Sequence, residues 1–152
     1  QPVEAFEHQV PMVIEEKALI PDSGGAGRYR GGNAQRIRFR SVSTRPITMT
    51  IRHERVTYPP RGLLGGNPGA PGRDLCNGEP IAAKGRTEIS HGDVVTFETA
   101  GGGGMFPPDQ RSREALEADL VTGLVTPSGV RRDYPERGSG NEPKARSGAI
   151  DE

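Results

Sequence analysis

Few side chains in this sequence are set up for chemistry, and the best placed are Arg28 and Arg30. Both lie in Asp22-Ser-Gly-Gly-Ala-Gly-Arg-Tyr-Arg-Gly-Gly32, a glycine-dense stretch between two runs of alternating apolar residues. A guanidinium is a planar fork of donors that matches a carboxylate, so arginines held on such a loop suit a carboxylate clamp or a partner chain. The same loop supplies Asp22, Ser23, Gly24, Gly25, Gly31 and Gly32 as candidate contacts to a substrate or an interface. The competing reading is that Arg28 and Arg30 neutralise Asp22 and nearby acids. His53, following Arg52 at a strand end, is the third catalytic candidate, for a contact into a neighbouring site.

The remaining chemistry-bearing residues form no complete constellation. Glu4 and Glu7 could act as an acid–base pair, although two glutamates at that spacing are more often solvated. His8, His53 and His91 are isolated, with no second His or Cys at ligand spacing, so no metal site is expected. Cys76 is the only cysteine, and the spacing pairs no histidine with it as a nucleophile would require. Three glycine-rich stretches, the first at 22–32, then 61–72 and 101–104, invite a nucleotide reading. None follows a phosphate-binding fingerprint, and tight turns or close packing explain them better.

Those residues must be positioned by a chain of 152 residues, enough for one domain. It holds 22 Gly and 14 Pro, against 4 Phe, 3 Tyr and no Trp. Lys plus Arg and Asp plus Glu are 20 each, so no global charge argues for nucleic acid or an anionic membrane. The single thiol fits a reducing compartment, and a cytoplasmic location is expected. No apolar run approaches membrane-spanning length.

Up to residue 100 the pattern reads as all-β. Residues 3–10 form a mixed opening. Residues 12–20 predict a strand with Met12, Ile14, Ala18 and Ile20 on one face. Residues 36–42 alternate Arg36, Arg38 and Arg40 with Ile37 and Phe39, and 47–53 place Ile47, Met49 and Ile51 inward. These two segments predict an antiparallel pair joined at 43–46. The second glycine stretch runs to about Asp74, Asn77-Gly78 signals a hairpin turn, and 80–83, 86–90 and 93–99 follow as short β segments. Ser112 is suited to cap a helix to about Val121 with Ala115, Leu116, Leu120 and Val121 as its apolar side, stopped by Gly123. Thr126 and Pro127 start a second helical turn through Tyr134. The expected fold is mainly β, antiparallel strands with glycine-rich loops followed by one or two short C-terminal helices, hence α+β. The domain is expected to span 1–134, with a β part over 1–100 and a helical part over 109–134. Residues 135–152 read as a polar tail, disordered or draped on a partner.

The succession of motifs carries more than any one of them. Glu4-x-x-Glu7-x-x-x-Pro11 and the 21–32 stretch are followed by Pro60-Arg-Gly-Leu-Leu-Gly-Gly-Asn-Pro-Gly-Ala-Pro-Gly72 and Leu75-Cys-Asn-Gly78. Then come Lys84-Gly85, Gly92-Asp93, Thr99-Ala-Gly-Gly-Gly-Gly104, Arg111, Asp119, Gly123-Leu-Val-Thr-Pro127 and Arg132-Asp-Tyr134. In this order they resemble the C-terminal region of hydantoinase B proteins. That family includes the B half of ATP-dependent hydantoinases and 5-oxoprolinases, and subunits of acetone and acetophenone carboxylases. Two departures stand out: Met105-Phe-Pro-Pro108 replaces the family's usual Tyr-Gly-Asp-Pro after the four glycines, and Tyr134-Pro-Glu replaces Tyr-Gly-Val.

The resemblance implies the final portion of a larger subunit, separately encoded or left by a cleavage. It implies a component of an ATP-dependent cyclic-amide hydrolase, with a ketone carboxylase as the alternative and a non-catalytic assembly module as the alternative of another class. The chain alone is expected to be inactive and to bind no cofactor. ATP and a divalent metal belong elsewhere in the complex. The expected partners are the remainder of the B-type subunit and a kinase-like A-type ATPase subunit, with no nucleic acid and no membrane. The 22–32 loop or Arg52-His53 would reach toward the catalytic chamber.

Overall fold

A computed structural model describes residues 3–134. Helix α1 (Val3–Gln9) leads into β1 (Met12–Leu19), β2 (Gln35–Ser41), β3 (Ile47–Arg52), β4 (Arg73–Cys76), β5 (Glu79–Pro80), β6 (Lys84–Ile89) and β7 (Val94–Glu98). A 3-10 turn (Pro108–Gln110) then precedes α2 (Arg113–Val121) and α3 (Pro127–Asp133). The fold is mainly β, α+β overall. The strands pair antiparallel in two sheets, one ordered β1-β2-β7-β4-β5 and the other β3-β6.

The two sheets share one core. Met12, Phe39 and Val95 from the larger sheet and Ile89 from the smaller are buried together, with Phe6, Val10, Ile14, Ile37, Ile47, Met49, Cys76 and Phe97 packed around them. Phe39 sits at the centre, its ring 5.5 Å from that of Phe97 and 6.3 Å from that of Phe6. Alternation along β2 explains this, since successive side chains take opposite faces. Ile37 and Phe39 turn inward while Arg38 and Arg40 point out to bind Glu15 across the sheet, at 3.0 and 2.6 Å.

Several expectations are corrected. Residues 3–9 are a helix, not an irregular opening, and its Glu7 carboxylate accepts the Ile14 N–H at 2.8 Å, tying α1 to β1. β2 does not pair with β3. Both edges of β2 are occupied, by β1 and β7, and the turn at Ser43–Pro46 carries the chain into the other sheet, where β3 pairs with β6. β4 lies where the second glycine stretch was expected to end. Four residues are too few to show a period, and pairing with β7 and β5 defines it.

The hairpin turn and both helix starts are as expected. Asn77 and Gly78, with φ of 51° and 87°, connect β4 to β5. The Ser112 side chain accepts from the Ala115 N–H, and the Thr126 side chain accepts from the Gly129 N–H with Pro127 at the first helical position. Gly123, at φ 69°, ends α2. Val121, expected on the apolar side of α2, is 87% exposed, and the one buried residue of that helix is Asp119. The expected tail at 135–152 lies outside the described residues.

Candidate functional site

The three glycine stretches come together as one stack of backbone segments. The Gly25 N–H donates to Gly102 O, Gly102 N–H to Gly32 O, Gly101 N–H to Ala70 O, Ala70 N–H to Ser23 O and Asn67 N–H to Ala26 O, at 2.7–2.9 Å. Their glycines answer to proximity, not to left-handed backbone: of the glycines in these stretches only Gly65 has a positive φ. A Cβ on Gly31 would fall on the carbonyl of Gly102, and one on Gly104 on the carbonyl of Ala26. Segments this close satisfy one another's buried peptide groups without forming a sheet.

The stack sets the 22–32 residues in place. Asp22, at φ 59°, accepts from the Thr126 N–H at 2.7 Å and from its Oγ1 at 2.5 Å. Ser23 is buried, its Oγ donating to Ile20 O and accepting from the Ala34 N–H. Asp22, Ser23, Gly24 and Gly25 border a small cleft of about 280 Å³ together with Asn67 and Arg132. Gly31 is buried under Gly102, while Gly32 is exposed with open space around its Cα.

Arg28 and Arg30 go to different surroundings. Arg28 is exposed, its guanidinium 5.4 Å from the centre of the Tyr29 ring. Arg30 turns inward: Nη1 donates to Gly31 O at 2.7 Å and to Asn33 Oδ1 at 2.5 Å, and Nε lies 3.4 Å from Asp119 Oδ2. Asp119 also accepts from Arg111 Nη2 at 2.6 Å, and Arg111 Nη1 reaches Arg28 O. Two guanidiniums thus share one buried carboxylate and bind α2 to the glycine stack. Burial pushes the Tyr134 phenol up in the same neighbourhood. None of this partnership was visible in local spacing, although Asp119 carries a sequence signal. It falls on the Ala115–Leu116–Leu120 stripe of α2, where an acid needs a buried cation.

His53 ends up beside Asp74, a residue that sequence reasoning passed over. Nδ1 of His53 is 2.7 Å from Asp74 Oδ1, and the Asp74 side chain is fully buried. The imidazole borders a groove of about 750 Å³ whose walls include Arg55, Tyr58, Ala83 and Lys84. His8 is exposed, and His91 Nδ1 is 3.1 Å from Ser43 O. Burial, with the Asp93 carboxylate adding, pushes the Cys76 thiol up, which disfavours the thiolate a nucleophile requires. Glu4 is exposed on α1, away from the engaged carboxylate of Glu7. Among the described residues, no group of three His, Cys, Asp or Glu could hold a metal ion, and no helix is long and apolar enough to cross a membrane.

Known proteins resemble this chain in sequence and in fold. It is 33% identical over 137 residues to an uncharacterized protein of Methanocaldococcus jannaschii, which aligns 88% of this chain with 24% of that one. It is 34% identical over 110 residues to the 5-oxoprolinase of Saccharomyces cerevisiae, covering 67% of this chain and 8% of the relative. To the caprolactamase subunit beta of Pseudomonas jessenii it is 29% identical over 141 residues, with coverages of 87% and 24%. The crystal structure of the ATP-dependent caprolactamase from Pseudomonas jessenii superposes with a TM-score of 0.73 at 26% identity, over 92% of this chain and 26% of that one. A nucleotide-free acetone carboxylase shares the fold at a TM-score of 0.73 and 20% identity, over 88% and 22%. The chain therefore spans about a quarter or less of the length of these relatives. With the family model for hydantoinase B/oxoprolinase matching residues 1–108, this chain belongs to the hydantoinase B/oxoprolinase family.

Proposed function

We propose that this chain is a component, corresponding to the C-terminal part of a B-type subunit, of an ATP-dependent enzyme that hydrolyses a cyclic amide of the lactam or 5-oxoproline kind. The observation that carries this reading is the likeness to the caprolactamase of Pseudomonas jessenii in sequence and fold together, over most of this chain. The relation to 5-oxoprolinase names the same bond type, an amide closed into a ring. A kinase-like A-type subunit would complete the complex and bind ATP and its metal, in the cytoplasm. Arg28 and the cleft beside Asp22 to Gly25 would face the neighbouring polypeptide.

A second reading, a part that only assembles and carries no chemistry, draws on one specific fact. Asp22, Ser23 and Arg30 all spend their polar groups inside the domain.

Native mass measurement of the material purified from its source, with denaturing mass spectrometry of every chain, tests the component reading. A larger hydantoinase-B-like chain and a kinase-like ATPase co-purifying are the expected result. That complex should then release ADP in response to caprolactam, 5-oxoproline or a hydantoin. A 16.3 kDa chain that is alone, folded and monodisperse overturns the reading.

A further inference from the structure

His53 and Asp74 are 21 residues apart in sequence and are held together from both sides. The His53 N–H donates to Ala83 O at 2.8 Å, which fixes the end of β3 against the start of β6. Asp74 is on β4 in the other sheet, so the pair bridges the two sheets. Gly72 makes room for the ring: a Cβ there would sit 2.7 Å from Cε1 and 2.9 Å from Nε2 of His53. The Gly72 N–H in turn donates to Arg55 O, and Arg55 is held at a φ of 64°. A bulky residue in the left-handed region persists only where its surroundings enforce it, and such positions gather at functional sites.

The polar accounting of the pair is lopsided. Asp74 Oδ1 accepts from His53, while Asp74 Oδ2 is buried with no hydrogen-bond partner among the described residues. A buried carboxylate oxygen left unpaired is costly, and a merely structural pair gains nothing from keeping it. The same excess of negative charge is useful if the imidazole becomes a cation. An ionised carboxylate can only accept, so Nδ1 carries the hydrogen, and Nε2 of the neutral ring presents a lone pair. The His53 side chain is 20% exposed and borders the groove of about 750 Å³. The charged groups around that groove are Arg55 and the ion pair of Glu54 with Lys84, at 2.7 Å.

We propose that His53 is a proton-accepting catalytic residue and Asp74 its positioning residue, acting on a water molecule and a cyclic amide already activated at the expense of ATP, both brought to the adjoining groove in the assembled enzyme. This rests on the reading of the chain as an enzyme component. Nε2 takes a proton from water as the water oxygen bonds to the acyl carbon. The carbon–nitrogen bond of the ring then breaks, and the imidazolium returns that proton to the departing nitrogen. Asp74 holds the tautomer and orientation of the ring and offsets the charge of the imidazolium.

Two measurements test it. On this chain alone, the ¹⁵N resonances of the imidazoles should show His53 as the Nδ1–H tautomer, and diethyl pyrocarbonate should acylate His53 before His8 and His91. Asp74→Asn should slow that acylation in protein whose thermal melt remains cooperative. An Nε2–H tautomer, or a His53 that reacts no faster than exposed His8, overturns the proposal. In the assembled enzyme, His53→Gln should lower kcat by about 10²–10⁴-fold, the usual contribution of a positioned base, with KM little changed. An assembled, folded His53→Gln enzyme of undiminished kcat also overturns it. Absence of any cyclic-amide turnover by the native complex would instead remove the component reading, while the tautomer and acylation results would still report on the pair.

Discussion

Asp22 and Thr126 are 104 residues apart in sequence and joined by two hydrogen bonds, from the Thr126 N–H to Oδ1 at 2.7 Å and from Oγ1 to Oδ2 at 2.5 Å. The same Thr126 Oγ1 accepts the Gly129 N–H, so one carboxylate at the start of the glycine stack holds the first turn of α3. Gly129 leaves space for it, since a Cβ there would fall on Oδ1 of Asp22. Removing the carboxylate strands partly buried donors. Asp22→Ala is therefore expected to destabilise the chain by about 1–3 kcal/mol. Urea unfolding measures it, and a midpoint equal to that of the unaltered chain would show that α3 needs no such anchor.

Asp119 carries a heavier burden, because Arg30 and Arg111 both depend on it. Their side chains are 13% and 11% exposed, and that of Asp119 is 9% exposed. Asp119→Ala leaves two guanidiniums with no counter-charge in a poorly hydrated place. Breaking such a group by removing one partner costs about 3–5 kcal/mol. The loss should be partly recovered when Arg111 is changed to Met in the same chain. Equal unfolding midpoints for Asp119→Ala and the double variant would contradict this account.

The glycine stack yields a paired comparison. Gly104→Ala forces a Cβ onto the Ala26 carbonyl and should abolish the cooperative unfolding transition or lower stability by more than the roughly 1–3 kcal/mol of ordinary overpacking. Gly32→Ala meets nothing within 4 Å and has no left-handed φ. It should be neutral or stabilise by about 0.4–1 kcal/mol through the unfolded chain. Similar melting curves for the two variants would show that close approach is not what the glycines supply.

Acid should weaken one cross-strand cluster before the core. Hydrogen bonds from Arg38 and Arg40 hold the Glu15 carboxyl below the usual carboxylate range. A carboxyl whose pKa is depressed on folding stabilises the fold above its unfolded value, near ~4.3, and that contribution is lost as pH falls through the folded value. Glu15→Gln should therefore be less stable than the unaltered chain at pH 7, with the gap closing toward pH 3. Because the cluster is exposed, added salt should narrow the gap at pH 7 as well. Urea midpoints over that pH range check both statements.

Much of the local structure was determined by the sequence alone. Ser112, Thr126, Pro127 and Gly123 mark helix ends through interactions within a turn of the chain, and Asn77-Gly78 specifies its hairpin through two left-handed residues. Alternation placed Phe39 and Ile51 in the core, and the ordered motifs carried the family. What only the tertiary structure decided is partnership at a distance. β2 could have paired with β3 by pattern, but its edges went to β1 and β7, a choice made by which sheet arrangement buries Phe39, Met12 and Val95 together. The glycines could have served turns, yet most of those in the three stretches serve contact between backbones far apart in sequence, and composition does not distinguish the two uses. Arg30 looked free for an external carboxylate until α2 supplied Asp119, and His53 looked solitary until β4 supplied Asp74. A side chain's type and spacing state what it is able to do, while its partner is set by which segments the shared core draws together.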